Sequence, residues 1–300
     1  MLRRVGKRTH PPSLVRLAER TLREAALVRR DELVLCACSG GADSQALCDV
    51  LAHLRARLGH EVLAVGVDHG LRAEAALELD LAAALARRHG VPFERCRVEV
   101  APGGNLQARA RAARLAALEA VARRTGAAAI ATGHTADDRA ETVLLRLLRG
   151  AGPGGLAVLP PRATSAGGLV LVRPLVAARR ADVSLHLARH GVPFASDPSN
   201  ADARFLRVRV RRELLPLLEA LSPRIVAHLC DLADMLAADA DEARAVSADV
   251  TAALGSAPAV LGRAQRLAID RAQRLGRPAI TVRLSGGRDL RVALSPARGA

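Results

Sequence analysis

The sequence predicts an α/β protein, a doubly wound and mostly parallel sheet followed by a smaller, mainly helical C-terminal region. Three observations carry this. Short apolar runs alternate with helical patterns from Leu33 to about Gly133, which is the rhythm of right-handed βαβ crossovers. Polar, glycine-containing turns, SGGADS, DHGLR and GHTADD, follow three of those runs, and in such sheets ligands sit beyond the carboxyl ends of the strands. From Pro223 to about Leu254 the pattern turns helical and Ala-rich.

Taken in order, ELVLCAC reads as a buried strand. DSQALCDVLAHLRARL reads as a helix, with Leu47, Val50, Leu51, Leu54 and Leu58 at helical spacing. EVLAVGVDHG is a second strand, EAALELDLAAALARRHG a helix ending at Gly90, and PFERCRVEV a third strand. NLQARARAARLAALEAVARRTG is a long helix closed by Gly126, and AAAIATGH returns to a strand. A helix starting at Thr135 should turn Val143, Leu144, Leu147 and Leu148 inward. GAGPGGLAVLPPRATSAGG is too rich in glycine and proline for a regular element, and a further αβ segment runs to about Asn200. ARFLRVRVRRELLPLLEAL fits either an alternating strand or a helical stripe of Leu206, Val210, Leu214, Leu217 and Leu221. ITVRLSGGRDLRVAL has the form of a hairpin turning at GGRD.

Composition narrows the function. Three hundred residues, half of them hydrophobic, suffice for a large core. No apolar run reaches the roughly eighteen residues of a membrane span, and MLRRVGKRTHPPS lacks the apolar centre of a signal peptide. The expected compartment is the cytoplasm, without membrane attachment. Cys36, Cys38, Cys48, Cys96 and Cys230 are odd in number and form no C-x-x-C pair, so they read as packing residues, although Cys36 and Cys38 share a strand face. A formal charge of +15 with a pI near 11.4 calls for a polyanionic partner, nucleic acid first. Lys7 is the only lysine, and Trp and Tyr are absent, so any base stacking would use arginine planes or the three Phe.

In SGGADS, Gly40 and Gly41 allow positive φ and close backbone approach, and the helix that follows aims its N–H groups at the same point. Ser39 and Ser44 add hydroxyls. Asp43 would repel phosphate unless Mg²⁺ bridges the two. A tight turn capped by Asp43 is the plainer reading, but the loop's place between a buried strand and an amphipathic helix favours a nucleotide site, and it is not a G-x-x-x-x-G-K-[ST] loop. Asp137, Asp138 and Glu141 fall on one face of the next helix with His134 before them. Capping of that helix by Thr135 and Asp138 accounts for them as well as a carboxylate cluster does. Asp68, His69 and Arg72 follow the second strand, where a cap with a solvated arginine and a ligand pocket are both open.

SGGADS after LVLCAC resembles the PP-loop of the N-type ATP pyrophosphatases, which split ATP into AMP and pyrophosphate to adenylate a substrate. Six ordered blocks are similar to those of the tRNA(Ile)-lysidine synthetases: the loop itself, VDHGLRAEAALE, GNLQARARAARLAAL, GHTADDRAETVLLRLLRGAGPGGL, VRPL and DPSNADARFLRVRVRRELLPLL. The similarity runs unbroken from about Asp31 to about Leu229. It implies an adenine nucleotide alpha hydrolase-like domain at 31–215, preceded by a basic helical extension at 1–30 and followed by a shortened tRNA-binding region at 216–300. It implies ligation of L-lysine to C2 of cytidine 34 in the CAU anticodon of tRNA(Ile), through an adenylated cytidine, with ATP as co-substrate and Mg²⁺.

By the same resemblance ATP is held by Ser39, Gly40, Gly41, Ala42, Asp43, Ser44, Asp68 and His69. Asp43, His134, Asp137, Asp138 and Glu141 act in catalysis, with the ion at Asp43 and Asp138. Arg72, Arg111, Arg114, Arg204, Arg207, Arg209 and Arg211 hold tRNA, the last four as an exposed basic patch on a helix. Gln107, Leu115, Ala75 and Val208 stand where the family often has Glu, Tyr, Ser and Asn. Two rivals remain open, a sister enzyme such as a cytidine thiolase and a non-catalytic RNA-binding module. The oligomeric state is open too, a homodimer included.

Overall fold

The computed structural model of the chain describes residues 12–70, 75–100, 104, 106–195, 202, 204–254, 265, 268–269, 271–272, 275, 277–283 and 289–293. Residues 1–234 form one compact unit and 235–300 another. The first unit is built on a six-stranded sheet of order β3-β2-β1-β4-β6-β5. The strands are β1 (Leu33–Ala37), β2 (Glu61–Asp68), β3 (Phe93–Arg97), β4 (Ala129–Ala131), β5 (Arg162–Thr164) and β6 (Val170–Val172). All neighbours pair in parallel except β5 and β6, which is the doubly wound, mostly parallel architecture that the alternating pattern predicts. The chain moves outward from β1 to β3, then crosses back to place β4 on the other side of β1. The carboxyl ends of β1 and β4 therefore flank the point where strand order reverses.

The twofold alternation of strand side chains divides the core. Val34 and Cys36 face the helices α1 (Leu14–Glu24), α2 (Ala42–Leu58), α3 (Ala75–Arg88) and α7 (Arg180–His190), with Leu17, Leu47, Leu51, Leu85, Val183 and Leu187 buried there. Leu35, Val65 and Ile130 face α4 (Leu106–Thr125) through Leu118, Val121 and Ala122. The basic extension expected at the N-terminus includes α1, which is capped by Ser13 and buries Leu14, Leu17, Ala18 and Leu22; residues 1–11 lie outside the described ones.

Two expectations need correction. The glycine- and proline-rich connection does hold regular elements, a one-turn helix α6 (Pro153–Leu156) and the strand β5, because β6 offers β5 an edge to pair with. On α5 (Ala136–Leu147), Val143 and Leu144 are buried, but Leu147 and Leu148 are 45% and 59% exposed, since the last turn runs out past the core. Of the two readings open for LRVRVR, the helix that the resemblance favours is the one found, as α8 (Leu206–Arg209), a π turn (Val210–Leu214) and α9 (Leu215–Leu221) in succession. α10 (Ile225–Leu254) follows. In the second unit β7 (Ala279–Arg283) and β8 (Asp289–Ala293) pair antiparallel over a small cluster of Ile269, Val282 and Val292; the turn between them lies outside the described residues. No helix among the described residues is long and apolar enough to cross a membrane.

Candidate active site

The chain leaves β1 still tied to the sheet, with Cys38 N–H donating to the Val65 carbonyl at 2.8 Å, and turns at Ser39. Gly40 sits at φ +80, and a Cβ there would collide with the Glu78 carbonyl, so the position excludes any other residue. Gly41 has φ −76 and is the N-cap of α2; positive φ is needed at Gly40 only, and Gly41 instead leaves clear space. Ser44 Oγ donates to the Gly41 carbonyl at 2.9 Å and accepts from Ser39 N–H at 3.1 Å, 3.2 Å from Ser39 Oγ. Ala42 and Asp43 form the first turn of α2. At Gly133 a Cβ would lie 2.8 Å from the Asp43 carbonyl oxygen, and that close approach brings the turn after β4, with His134, against the start of α2. Gly40→Ala is expected to lower stability by about 1–3 kcal/mol through backbone strain alone and to remove ATP binding, as thermal melting and a nucleotide titration would report.

Between the ends of β1 and β4 lies a cavity of about 540 Å³, in the range that accepts a nucleotide. Its polar floor is Ser39, Asp43, Ser44 and Thr132 to His134. Val65, Val67, Leu115, Leu118 and Leu171 supply an apolar wall, and Arg111, Arg114 and Arg173 line it as well. His69 reaches it from the end of β2, and Asp138, Phe205, Arg207, Val208 and Arg211 complete the lining. Asp68 does not line the cavity; its carboxylate accepts from Gly70 N–H at 2.8 Å and closes the turn after β2. Arg72 lies outside the described residues.

The electrostatics of the two sides differ. Asp43 Oδ1 is buried without a hydrogen-bond partner, and burial first, then the Asp138 charge, pushes the carboxyl up to about 6 against the pull of Arg180. A buried carboxylate oxygen left unsatisfied in a polar cavity fits an oxygen-seeking divalent ion such as Mg²⁺. Among the described residues neither Arg111 nor Arg114 has an ion-pair partner. Desolvation and then Arg111 lower Arg114, while burial, Arg111 and Arg139 lower Arg173 to about 10. Three guanidinium groups that repel one another in one cavity make a seat for a polyanion.

The acidic helix start is arranged differently from the open carboxylate face that its spacing suggests. Asp137 accepts from Arg179 at 2.9 and 3.1 Å and from Arg180 N–H at 2.7 Å. Glu141, fully buried, is bonded by Arg180 at 2.9 Å, Arg207 at 3.0 Å and Arg211 at 2.7 Å. Asp138 caps α5, accepting from Thr135 N–H and Oγ1 at 2.9 Å, and its other oxygen takes Arg180 and Arg207 at 3.1 Å. Of the three acids, Asp138 alone lines the cavity, and a metal ion there would have to displace two guanidinium groups. The fit for Mg²⁺ thus narrows to Asp43, and Asp137 and Glu141 read as the centre of an arginine-linked scaffold.

That scaffold also corrects the basic patch. Arg207 and Arg211 turn inward to Glu141 rather than outward to solvent, whereas Arg204 and Arg209 stay exposed and pair with Asp202 at 2.7 Å and Glu213 at 3.1 Å. His134 shares a 2.9 Å hydrogen bond with Thr132 Oγ1, and burial lowers it to about 4, so it is neutral near pH 7. Sequence reasoning misses Arg173, Arg179, Arg180 and Thr132 as individual residues. The paired arginines at the start of α7 were the available signal for two of them, and VRPL for a third.

The sheet, its switch point and the glycine-turned loop between β1 and α2 define a PP-loop nucleotide-binding protein, and a family model described as a PP-loop domain matches residues 14–218. A U34-tRNA thiolase, NcsA, from Methanococcus maripaludis has the same fold, with a TM-score of 0.63 at 17% identity over 75% of this chain and 78% of that one. Relatives in sequence are more specific. The tRNA(Ile)-lysidine synthase of Salinispora arenicola is 44% identical over 77% of this chain and 74% of its own length. That of Thermobifida fusca is 42% identical over 88% and 80%, and that of Salinispora tropica 47% identical over 69% and 62%. The chain belongs to the tRNA(Ile)-lysidine synthase family.

Proposed function

We propose that this chain joins L-lysine to C2 of cytidine 34 in the CAU anticodon of tRNA(Ile), consuming ATP. The single observation that carries the chemistry is the cavity behind the PP-loop. It brings an unsatisfied Asp43 oxygen together with three arginines that have no ion-pair partner among the described residues, beside an apolar wall that suits a base. In the family's reaction the cytidine O2 attacks the α-phosphorus, the bond to the bridging oxygen breaks, and pyrophosphate leaves. The lysine ε-ammonium gives one proton to solvent, the amine adds at C2 and releases a second proton to solvent, and AMP departs with the former O2.

In this reading the backbone N–H groups and the hydroxyls of Ser39 and Ser44 hold the departing pyrophosphate. Arg111, Arg114 and Arg173 spread over the triphosphate. Asp43 would hold Mg²⁺, which would offset charge on the leaving group. His134, neutral and weakly basic, serves as a hydrogen-bonding wall rather than as the acceptor of a proton from an ammonium group of pKa about 10.4. The exposed Arg204 and Arg209 remain candidates for the tRNA backbone. An anticodon base is single-stranded and reaches such a pocket without opening a duplex. ATP and tRNA meet in the cytoplasm, which is the compartment the reading requires. All residues invoked belong to one chain, so a homodimer would carry two complete sites.

With tRNA(Ile), ATP and Mg²⁺ but no lysine, one turnover of pyrophosphate should still be released and AMP should remain on the tRNA. Release without tRNA, or none until lysine is added, would argue against cytidine adenylation as the first step. Arg114→Ala should weaken ATP binding by about tenfold or more, the effect of losing one charge-assisted contact. Its remaining affinity should depend less steeply on salt, as a binding titration across ionic strengths would show.

A further inference from the structure

Away from the cavity, where α2 and α7 pack together, four of the nine histidines converge on one carboxylate. Asp49 and His53 are one turn apart on α2, His186 and His190 one turn apart on α7, and His89 lies just beyond α3. None of them lines the nucleotide cavity. Asp49 is 1% exposed; its Oδ1 lies 2.8 Å from His89 Nε2 and its Oδ2 lies 2.8 Å from His186 Nε2. His53 Nδ1 is 3.2 Å from Oδ2 and 2.7 Å from the Asp49 carbonyl.

We propose that Asp49, His53 and His190 form a binding site for a divalent transition-metal ion of the zinc class, with the remaining coordination positions open to water. The donor atoms of these three residues already lie within 4.8 Å of one another. Ligands about 2.0–2.2 Å from a tetrahedral ion stand roughly 3.4 Å apart, so modest side-chain rotation closes the set. Asp49 and His53, one turn apart, present both donors on one side of α2, and His190 supplies the third from α7. One carboxylate with imidazoles selects zinc, nickel or copper over calcium or magnesium.

The surroundings support this arrangement. His89 and His186 bond to the two Asp49 oxygens from the buried side and fix the carboxylate, as residues behind metal ligands do. His53 is exposed and His190 half-buried, which gives the ion a path from solvent. His186 and His190 stack at 4.3 Å with 29° between ring planes, which holds the His190 ring beside the Asp49 carboxylate that His186 bonds. Arg88 is directed at the His190 carbonyl at 3.3 Å. An ion here would fasten α7 to the helix whose first turn is the PP-loop.

The chelator-treated full chain, dialysed against zinc, is expected to retain one equivalent and to melt at a higher temperature. In His53→Ala/His190→Ala the zinc affinity should fall by about 100-fold or more, while tRNA-dependent pyrophosphate release measured without zinc stays unchanged. Cobalt in place of zinc should give visible d–d bands with no sulfur-to-metal charge-transfer band, which separates this site from the buried trio Cys36, Cys38 and Cys48, whose sulfurs also lie within 4.8 Å of one another. No retained zinc, equal retention by the double variant, or a sulfur charge-transfer band would each overturn the proposal.

Discussion

Asp43→Asn should abolish tRNA-dependent pyrophosphate release and at the same time raise the melting temperature of the ligand-free protein above pH 7. Both effects follow from one buried oxygen without a partner. The folded protein raises the Asp43 carboxyl from 3.8 to about 6, so the folded state binds the proton more tightly than the unfolded chain. The carboxyl therefore costs nothing at pH below about 4, costs progressively more as pH rises through about 6, and reaches a constant penalty above that. A shift of this size corresponds to about 3 kcal/mol at most, and access of solvent to the cavity reduces it to about 1–2 kcal/mol. Asparagine keeps the shape and removes the charge, which should add a few degrees at pH 8 and nothing at pH 4. Pyrophosphate release should fall by at least about 100- to 1,000-fold, the scale for losing one preorganised electrostatic group. A variant that melts lower at pH 8, or that keeps normal release, would show that Asp43 is held for structure and not for the metal and phosphate.

Glu141→Ala should destabilise the protein by about 2–3 kcal/mol, below the range for breaking a fully buried pair because the three arginines it leaves are 28–38% exposed. Arg180, Arg207 and Arg211 all spend hydrogen bonds on this one carboxylate, and its removal leaves three cations to share Asp138. Adding Arg211→Met to Glu141→Ala should recover part of the loss, because it removes one of the uncompensated charges. If Glu141 instead acted only on substrate, the single variant would melt normally and the second change would recover nothing. The same scaffold sets acid sensitivity. Burial pushes the Asp138 carboxyl up, but Arg180, the Thr135 N–H and Arg207 outweigh it and hold it below the ordinary carboxylate value. A depressed carboxyl contributes its full stability above the unfolded value and loses it as pH falls toward the folded one. Unfolding linked to Asp138 should therefore begin only below about pH 4, as acid titration by circular dichroism would show.

The strands and helices around the PP-loop are legible because each carries its own period, and the three polar turns mark the sheet edge before any coordinate does. Gly40 and Asp43 were readable for the same local reason, a loop caught between a buried strand and a helix. What periodicity could not supply is the cover. Asp137, Asp138 and Glu141 do share a helix face, but their partners are Arg179, Arg180, Arg207 and Arg211, some 40 to 70 residues further along. Only the fold reveals that this face is already neutralised. The identical absence of long-range information let Arg207 and Arg211 pass for an exposed patch, and let Leu147 and Leu148 pass for core. Arg173 was marked only by the VRPL block, since a lone arginine at a strand end has no periodicity of its own. The strand β5, three residues long, exists because β6 is there to receive it, and not because of its own sequence.

The most direct measurement is incubation of the full chain with ATP, Mg²⁺, tRNA(Ile) transcript and L-lysine carrying nitrogen-15 at the ε position, followed by digestion to nucleosides and mass spectrometry. The proposed function predicts that cytidine 34 gains lysine less one water, that the label is retained in that nucleoside, and that one AMP and one pyrophosphate appear per lysine. Pyrophosphate release with an unmodified cytidine 34, or with sulfur and no labelled nitrogen at C2, would contradict it.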